Sequence, residues 1–133
     1  MQWIKDILIA NNTSKSGIKA VIDEYCKSYN GLRVVRKFRM PSIVLRYNQN
    51  IPLHNPRRSY YDTFEYLECS SILTLYHVTQ CANKGGELFF EHDKNLVHLS
   101  EDDLILIPSE FFYSHGFNLV LDGVQIMDKY LVC

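Results

Sequence analysis

From residue 32 onward, the chain is a succession of short β-branched and aromatic runs separated by turn residues. Residues of these types favour the pleated, half-buried surface of a sheet, and runs of this length bounded by turn residues indicate strands. The predicted strands are residues 32–38, 42–47, 71–78, 87–91, 96–99, 103–107, 112–115, 118–121 and 124–132. About eight strands at this spacing predict a mainly β fold, either a two-sheet jelly roll or a barrel.

Residues 1–31 instead have apolar residues at helical spacing. The apolar residues of a short first helix are Trp3, Ile4, Ile7 and Leu8, and those of a second helix are Ile18, Val21, Ile22 and Tyr25. Residues 11–13 should end the first helix, Ser14 or Ser16 should cap the second, and Asn30-Gly31 should end it. We therefore expect one or two N-terminal helices packed outside a strand-rich core of residues 32–133.

Length and charge limit the classes of function. The chain has 133 residues, of which 47% are hydrophobic, and this is enough for one globular domain over residues 1–133. The 14 basic residues are balanced by 15 acidic ones. A net charge of -1 gives no reason to expect nucleic acid or a charged membrane surface as the partner.

The cysteines and the apolar runs indicate a compartment. The cysteines at positions 26, 69, 81 and 133 form neither a CxxC pair nor the dense spacing of a disulfide scaffold, and no secretory signal opens the chain. The longest apolar runs, such as residues 104–107, are too short to cross a bilayer. Reduced thiols and a cytoplasmic location are therefore expected.

Four segments of the strand-rich part are informative together. They are Gly85-Gly86-Glu87-Leu88, residues 103–108, His115 and Gly123-Val124-Gln125. Their order resembles the second half of the prolyl-hydroxylase-like family of iron(II) and 2-oxoglutarate oxygenases. Upstream, residues 42–48 are similar to the strand before that family's first iron ligand, and residues 71–76 to the strand after it. The resemblance covers residues 42–132 and implies a double-stranded β-helix, which is the family's jelly roll.

The chemistry of that family needs three metal ligands and one basic residue. Two imidazoles and one carboxylate hold iron(II) on one face and leave positions open for 2-oxoglutarate and dioxygen. A His-x-Asp pair supplies two of the ligands from one strand end, because residues two apart on a strand point the same way. An Arg about ten residues beyond the second histidine grips the far carboxylate of 2-oxoglutarate.

The second half of this site is partly retained. The resemblance implies His115 as the distal metal ligand and puts Gln125 where the family has Arg. An amide carries no charge, so Gln125 should hold a dicarboxylate weakly. Lys129, on the same strand face, could supply a substitute charge, and Tyr76 could pack beneath the cofactor. The alternative is structural: a hydrogen-bonded His115 inside a strand pair, with the other three residues in an ordinary core or strand face.

The first half of the site lacks the expected pair. None of the 5 histidines is followed two residues later by Asp or Glu. His54-Asn55-Pro56 keeps the histidine but has Pro in place of the carboxylate, whereas Tyr60-Tyr61-Asp62 keeps the carboxylate but has Tyr in place of the histidine. Both registers stay open, and so does a composite metal site of His54, Asp62 and His115. As structural residues, His54 would be exposed and Asp62 would belong to a turn or cap.

These departures favour a protein that has kept a scaffold and lost its chemistry. We expect a catalytically inactive prolyl-hydroxylase-like protein that binds a host or cellular protein and needs no cofactor. The pattern of residues 46–48, 65–76 and Gly85-Gly86 is also similar to the degenerate prolyl-hydroxylase-like domains of poxvirus host-range and immune-evasion proteins. That similarity implies a viral modulator of host oxygen sensing or innate immunity in the host cytoplasm.

Residues 48–68 are the long stretch without a clear period, and we expect a loop that covers a site or contacts the partner. Tyr and Arg are favoured at interface anchors, so the expected contacts are Arg57, Arg58, Tyr60 and Tyr61. The alternative function is an active or atypical iron(II) and 2-oxoglutarate-dependent dioxygenase that hydroxylates a protein or a small molecule. It would hold iron through His115 together with His54 or Asp62.

Overall fold

The computed structural model describes residues 2–11, 17–29, 45–54, 60–62, 72–90, 93–109, 113 and 115–132. These residues form 12 strands and one helix, α1 (Ile18–Lys27). The first strands are β1 (Gln2–Ile4), β2 (Ile7–Asn11), β3 (Leu45–His54), β4 (Tyr60–Asp62), β5 (Leu73–Gln80) and β6 (Lys84–Gly85). They are followed by β7 (Leu88–Phe90), β8 (Asp93–Val97), β9 (Asp103–Pro108), β10 (His115–Phe117), β11 (Val120–Asp122) and β12 (Val124–Val132).

The strands form two main sheets and a short ribbon. The major sheet has six strands in the order β1-β2-β9-β5-β12-β3, and the minor sheet has four in the order β4-β10-β7-β8. The ribbon pairs β11 with β6. Every one of these pairings is antiparallel. The predicted mainly β architecture is therefore confirmed.

The inner faces of the two main sheets enclose one apolar core. The major sheet contributes Ile7, Ile9, Ile51, Leu53, Tyr76, Val78, Ile105, Ile107 and Met127, and the minor sheet contributes Leu88, Phe90 and Phe117. Successive side chains of a strand point to opposite faces, so alternate residues supply this core. The same alternation decides which residues of β5, β10 and β12 can reach the interior.

The outer face of the major sheet is covered by α1. The buried helix residues are Val21, Ile22, Tyr25 and Cys26, and they share a second apolar cluster with Leu8, Leu73, Leu75, Leu104 and Leu106. Strand β9 is consequently apolar on both faces, because Leu104 and Leu106 lie under the helix while Ile105 and Ile107 enter the core. The predicted position of the second helix outside the sheets is confirmed.

The ends of α1 differ from the sequence-based expectation. Its N-cap is Gly17, whose backbone is extended (φ -60°, ψ 174°) and which makes no side-chain capping bond, so neither predicted serine is the cap. The C-cap is Ser28, and its hydroxyl donates to the carbonyl of Glu24 at 3.0 Å. The helix therefore ends before Asn30-Gly31, which lie outside the described residues.

The predicted first helix is wrong, because Trp3 to Leu8 form the hairpin of β1 and β2. Ile4 pairs with Ile7, and Lys5 in the intervening turn has a φ of 52°. The spacing misleads because β2 is buried on both faces, with alternate residues facing the core and the helix. A short run that is apolar throughout has no period that separates strand from helix. Residues 1–31 thus supply two strands of the major sheet as well as α1.

The expected loop over residues 48–68 is also partly wrong. Strand β3 extends to His54 and pairs with β12 along its length, as the edge strand of the major sheet. An edge strand has one row of unpaired backbone groups, so it accommodates Pro52 and the exposed polar residues Gln49 and Asn50. Residues 60–62 form β4, and the rest of this stretch lies outside the described residues.

The other predicted strands agree in place with β3, β5, β7, β8, β9, β11 and β12, and β12 has the predicted bounds. Strand β10 is shifted, since it begins rather than ends at His115. The predicted strand over residues 32–38 lies outside the described residues. Of the described helical residues, none belong to a helix with the length and apolar character of a bilayer crossing.

Candidate functional site

Polar side chains interrupt the apolar core at its centre. Gln125 and Lys129 alternate with Met127 along β12 and therefore face the interior. Tyr76 lies on the neighbouring strand β5, directly opposite Lys129, and His115 reaches in from β10 of the minor sheet. The exposed fractions are 0% for Tyr76 and Lys129, 1% for Gln125 and 2% for His115. The structure thus buries in one interior the four residues that the sequence singled out in the second half of the site.

Both ring nitrogens of His115 are hydrogen-bonded. Nδ1 lies 2.7 Å from the backbone carbonyl oxygen of Tyr113, and Nε2 lies 2.8 Å from the hydroxyl of Tyr76. A carbonyl oxygen only accepts, so Nδ1 carries the hydrogen and donates it. In the neutral ring this leaves Nε2 as the acceptor of the Tyr76 hydroxyl. The rings of His115 and Tyr76 meet edge to face, with centroids 5.4 Å apart.

This arrangement bears on the fit of a metal ion. A metal at Nε2 of His115 needs the lone pair that accepts the Tyr76 hydroxyl, and Nδ1 is occupied by its hydrogen. Across the part of the chain that the structure describes, no three His, Cys, Asp or Glu residues are grouped as a metal site. The described side chains therefore do not fit iron(II) by themselves.

The backbone register places the two candidate segments for the missing ligands. Asp62 on β4 lies directly opposite His115 on β10, whereas His54 ends β3 opposite Val124 in the major sheet. Tyr60 and Tyr61, expected at a partner surface, are the other residues of β4. The structure describes the backbone of these residues but not their side chains, and Arg57 and Arg58 lie outside the described residues. Their predicted roles stay predictions.

Gln125 is bound to a glycine turn. Its Nε2 donates to the carbonyl of Gly86 at 2.9 Å, and its Oε1 lies 3.9 Å from the thiol of Cys81. Gly86 has a φ of +74°, and a Cβ placed there would lie 2.3 Å from Oε1 of Gln125, so this contact requires glycine. The Cys81 thiol also donates to the Leu99 carbonyl at 3.1 Å. The Gln125 amide thus ties β12 to the turn before β7.

Cys81 stays in its thiol form at neutral pH. Burial raises the pKa of the Cys81 thiol, and the nearby carboxylates of Asp103 and Glu101 raise it further. A protonated thiol can serve as the donor to Leu99. The contact beside Gln125 is therefore structural rather than nucleophilic.

Lys129 is a fully buried side chain in the same interior. Its Nζ lies 6.0 Å from the centroid of the Tyr76 ring, at the outer limit of a cation–π contact. Burial of an ammonium group requires polar partners, and each buried side-chain nitrogen and oxygen of the described residues has a hydrogen-bond partner. The predicted substitute charge is therefore inside the core, on the face of β12 that also carries Gln125.

Sequence reasoning missed a second polar cluster, which is centred on Asp6. Its carboxylate accepts the hydroxyl of Tyr29 at 2.6 Å and the hydroxyl of Tyr113, while its backbone carbonyl accepts the Tyr25 hydroxyl at 2.5 Å. The rings of Tyr25 and Tyr29 stack, with centroids 5.2 Å apart, and Trp3 packs against both. The signal in the sequence was two tyrosines one helical turn apart with a lone Asp in an apolar segment.

The electrostatics of this cluster follow from its hydrogen bonds. The hydroxyl of Tyr113, followed by that of Tyr29, lowers the pKa of the Asp6 carboxyl. Burial, followed by the bond to Asp6, raises the pKa of Tyr29 to about 12. Burial, followed by the neighbouring Tyr29 and Asp6, also raises the pKa of Tyr25. Asp6 is therefore ionised, and the tyrosines are neutral donors, across the physiological range.

Comparison with known proteins gives the fold. No family model and no curated protein matches the sequence. A truncated form of the viral collagen prolyl hydroxylase of Paramecium bursaria Chlorella virus-1 is similar in structure, with a TM-score of 0.64 and 14% identity over 96% of this chain and 90% of that chain. The chain has a prolyl-hydroxylase-like fold. The 2OG complex of the same viral enzyme gives a TM-score of 0.58 and 13% identity over 86% of this chain and 71% of that one.

This likeness confirms the predicted jelly roll with its outer helix. At such low identity it shows the fold alone, so the activity has to be argued from the residues of this chain.

Replacement of Tyr76 by Phe should destabilise the protein by about 1–3 kcal/mol, because it leaves the buried Nε2 of His115 without its donor. The free energy of unfolding in urea measures this change. Tyr47→Phe is the matched control: its ring is 54% exposed and its hydroxyl contacts Asp128 at the surface, so a change within about 0.5 kcal/mol is expected. Equal effects of the two variants would contradict the assigned bond.

Acid should remove the stabilisation that Asp6 provides. The pKa of Asp6 is lower in the folded protein than in the unfolded chain, so its contribution is complete above the unfolded value and is lost as the pH falls through the folded one. The stability difference between the wild type and Asp6→Asn should therefore shrink below about pH 4. The free energy of unfolding in urea, measured from about pH 2 to about pH 7, checks this change. The control variant is Asp122→Asn at an exposed position of β11, whose stability at pH 7 should stay within about 0.5 kcal/mol of the wild type.

Proposed function

We propose that this protein is a catalytically inactive prolyl-hydroxylase-like protein that acts by binding another protein. The observation that carries this proposal is the contact of His115 Nε2 with the Tyr76 hydroxyl, at 2.8 Å. A family member that used this histidine as a ligand would need Nε2 directed at the metal. Here Nε2 is directed at a phenol.

The environment of Gln125 supports the same proposal. A guanidinium at this position could grip the carboxylate of 2-oxoglutarate with two charge-assisted bonds, whereas the amide carries no charge and is already bonded to Gly86. Catalysis by this fold requires the metal ligands and the anion grip together. Both are altered in this chain, and the two alterations involve different strands.

The partner that we propose is a host or cellular protein met in the cytoplasm. This part of the proposal rests on the similarity of residues 46–48, 65–76 and Gly85-Gly86 to poxvirus proteins that act on host oxygen sensing or innate immunity. A near-zero net charge favours protein over nucleic acid as the partner. The proposed contact residues are Arg57, Arg58, Tyr60 and Tyr61, since Arg and Tyr are the usual anchors of protein interfaces.

The second candidate is an active iron(II) and 2-oxoglutarate-dependent dioxygenase. The observation that favours it is the register of β4, which puts Asp62 directly opposite His115 and so brings a carboxylate-bearing segment beside the imidazole. For this function, Tyr76 would have to release Nε2 of His115.

Addition of iron(II) and 2-oxoglutarate to the purified protein under anaerobic conditions separates the two candidates. We expect no visible charge-transfer band and no rise in melting temperature, since a ligand that binds only the native state must stabilise it. The viral collagen prolyl hydroxylase, whose structure has been solved as a 2OG complex, is the positive control. A band and a rise of several degrees that both disappear in His115→Ala would establish the second candidate instead.

The binding half of the proposal is tested by charge reversal. Cross-linking of the tagged protein in host cells, followed by mass spectrometry, identifies the partner, and its affinity for the purified protein is then measured. The double variant Arg57→Glu/Arg58→Glu should bind at least about ten-fold more weakly, as expected for loss of an interface anchor. Lys84→Glu, at an exposed site in β6, is the control and should bind normally. Equal binding by both variants would remove these residues from the interface and leave the question of catalysis untouched.

A further inference from the structure

A chain of hydrogen bonds leads from the N-terminal hairpin to the buried histidine. It begins at Asp6, in the turn between β1 and β2, whose carboxylate accepts the hydroxyl of Tyr113. The carbonyl of Tyr113 then accepts the Nδ1 hydrogen of His115 at 2.7 Å, and Nε2 of His115 accepts the Tyr76 hydroxyl at 2.8 Å. The path joins the major sheet, the segment before β10 and the core.

We propose that Asp6 is a positioning residue for His115. By anchoring Tyr113, it holds the Tyr113 carbonyl in place, and that carbonyl keeps the ring in the orientation and tautomer that direct Nε2 at Tyr76. The inference goes beyond the proposed function, because it concerns how the ring of His115 is held in its orientation. It applies to an active and to an inactive protein alike.

The position of Tyr113 explains why such an anchor matters. This residue precedes β10 and lies outside the described strands. Its hydroxyl, however, bonds to a carboxylate, and hydrogen bonds to charged acceptors are roughly twice as strong as neutral ones. The side chain of Tyr113 is thus fixed from outside, and its backbone is fixed with it.

Asp6 is itself held from two directions. The pairing of Ile4 with Ile7 closes the hairpin around the turn, and the Tyr25 hydroxyl of α1 donates to the Asp6 carbonyl at 2.5 Å. The carboxylate then accepts the hydroxyl of Tyr29, which follows the C-cap of α1, and the hydroxyl of Tyr113 from the other side. Asp6 therefore links α1 to the segment that leads to His115 through hydrogen bonds on both sides.

Two tyrosines give a matched pair of variants. Tyr113→Phe and Tyr29→Phe each remove one hydroxyl from the Asp6 carboxylate, but only Tyr113 continues to His115. Both changes should lower stability by a similar amount. A purely structural role for the cluster therefore predicts equal effects on His115, whereas the positioning role predicts an effect of Tyr113→Phe alone.

The ring ¹⁵N spectrum of His115 reports its tautomer directly. In the wild type we expect two well-separated signals that correspond to a fixed Nδ1–H tautomer. In Tyr113→Phe the ratio of this tautomer to the Nε2–H form should fall about five-fold, which corresponds to the loss of one hydrogen bond of ordinary strength. In Tyr29→Phe the signals should stay as in the wild type.

Carbethoxylation of the histidines gives a second readout, because the reagent needs a free imidazole lone pair. His115 should react slowly in the wild type and in Tyr29→Phe, and at least about five-fold faster in Tyr113→Phe, for the same reason. The exposed His98 serves as the internal standard. If Tyr113→Phe does not fold, Asp6→Asn replaces it, with the same direction of change expected.

Wild-type tautomer and reactivity in the folded Tyr113→Phe or Asp6→Asn variant would overturn the proposal. An equal change in Tyr29→Phe would also overturn it, since that change would show a general loosening of the cluster rather than a path through Tyr113.

Discussion

The hydrogen bond between the Tyr76 hydroxyl and the His115 ring is the contact on which the interior depends. It joins β5 of the major sheet to β10 of the minor sheet within a mainly apolar core that also buries Gln125 and Lys129. A buried polar atom without a partner costs about 1–3 kcal/mol, so both groups must be paired, and each is paired by the opposite sheet. The rings of Phe90 and Phe117 pack against the pair, so the minor sheet provides apolar surface beside the bond.

Much of the fold follows from local patterns in the sequence. Strand β12 alternates inward and outward residues over its whole length, and its predicted bounds were right because one face is buried and the other is only half-buried. The amphipathic spacing of α1 was equally informative, since a helix on the outside of a sheet has one apolar stripe. The hairpin of β1 and β2 was missed because β2 is buried on both faces. The extension of β3 beyond residue 47 was missed because that part of the strand carries exposed polar residues.

The sequence located the candidate site only in part. The positions of His115, Gln125 and Lys129 along their strands predicted that they could reach one interior, and the structure buries all three there. The partners of these residues were not predictable. The hydroxyl of Tyr76 comes from a segment distant in sequence, and such a contact depends on how two sheets pack. The carbonyl of Tyr113 is only two residues from His115, but its bond to the ring depends on the local backbone conformation before β10. A motif specifies which residues are available, whereas tertiary packing decides which atom faces which.

The contact between Gln125 and Gly86 has an evolutionary consequence. The amide fits against a glycine with positive φ and bonds to its carbonyl at 2.9 Å, so the turn and the side chain are shaped to one another. A longer guanidinium at position 125 would displace the turn, and any side chain at position 86 would strike the amide. A change to a charged, longer side chain at position 125 would thus need a matching change in the turn, and each single step would first weaken the protein.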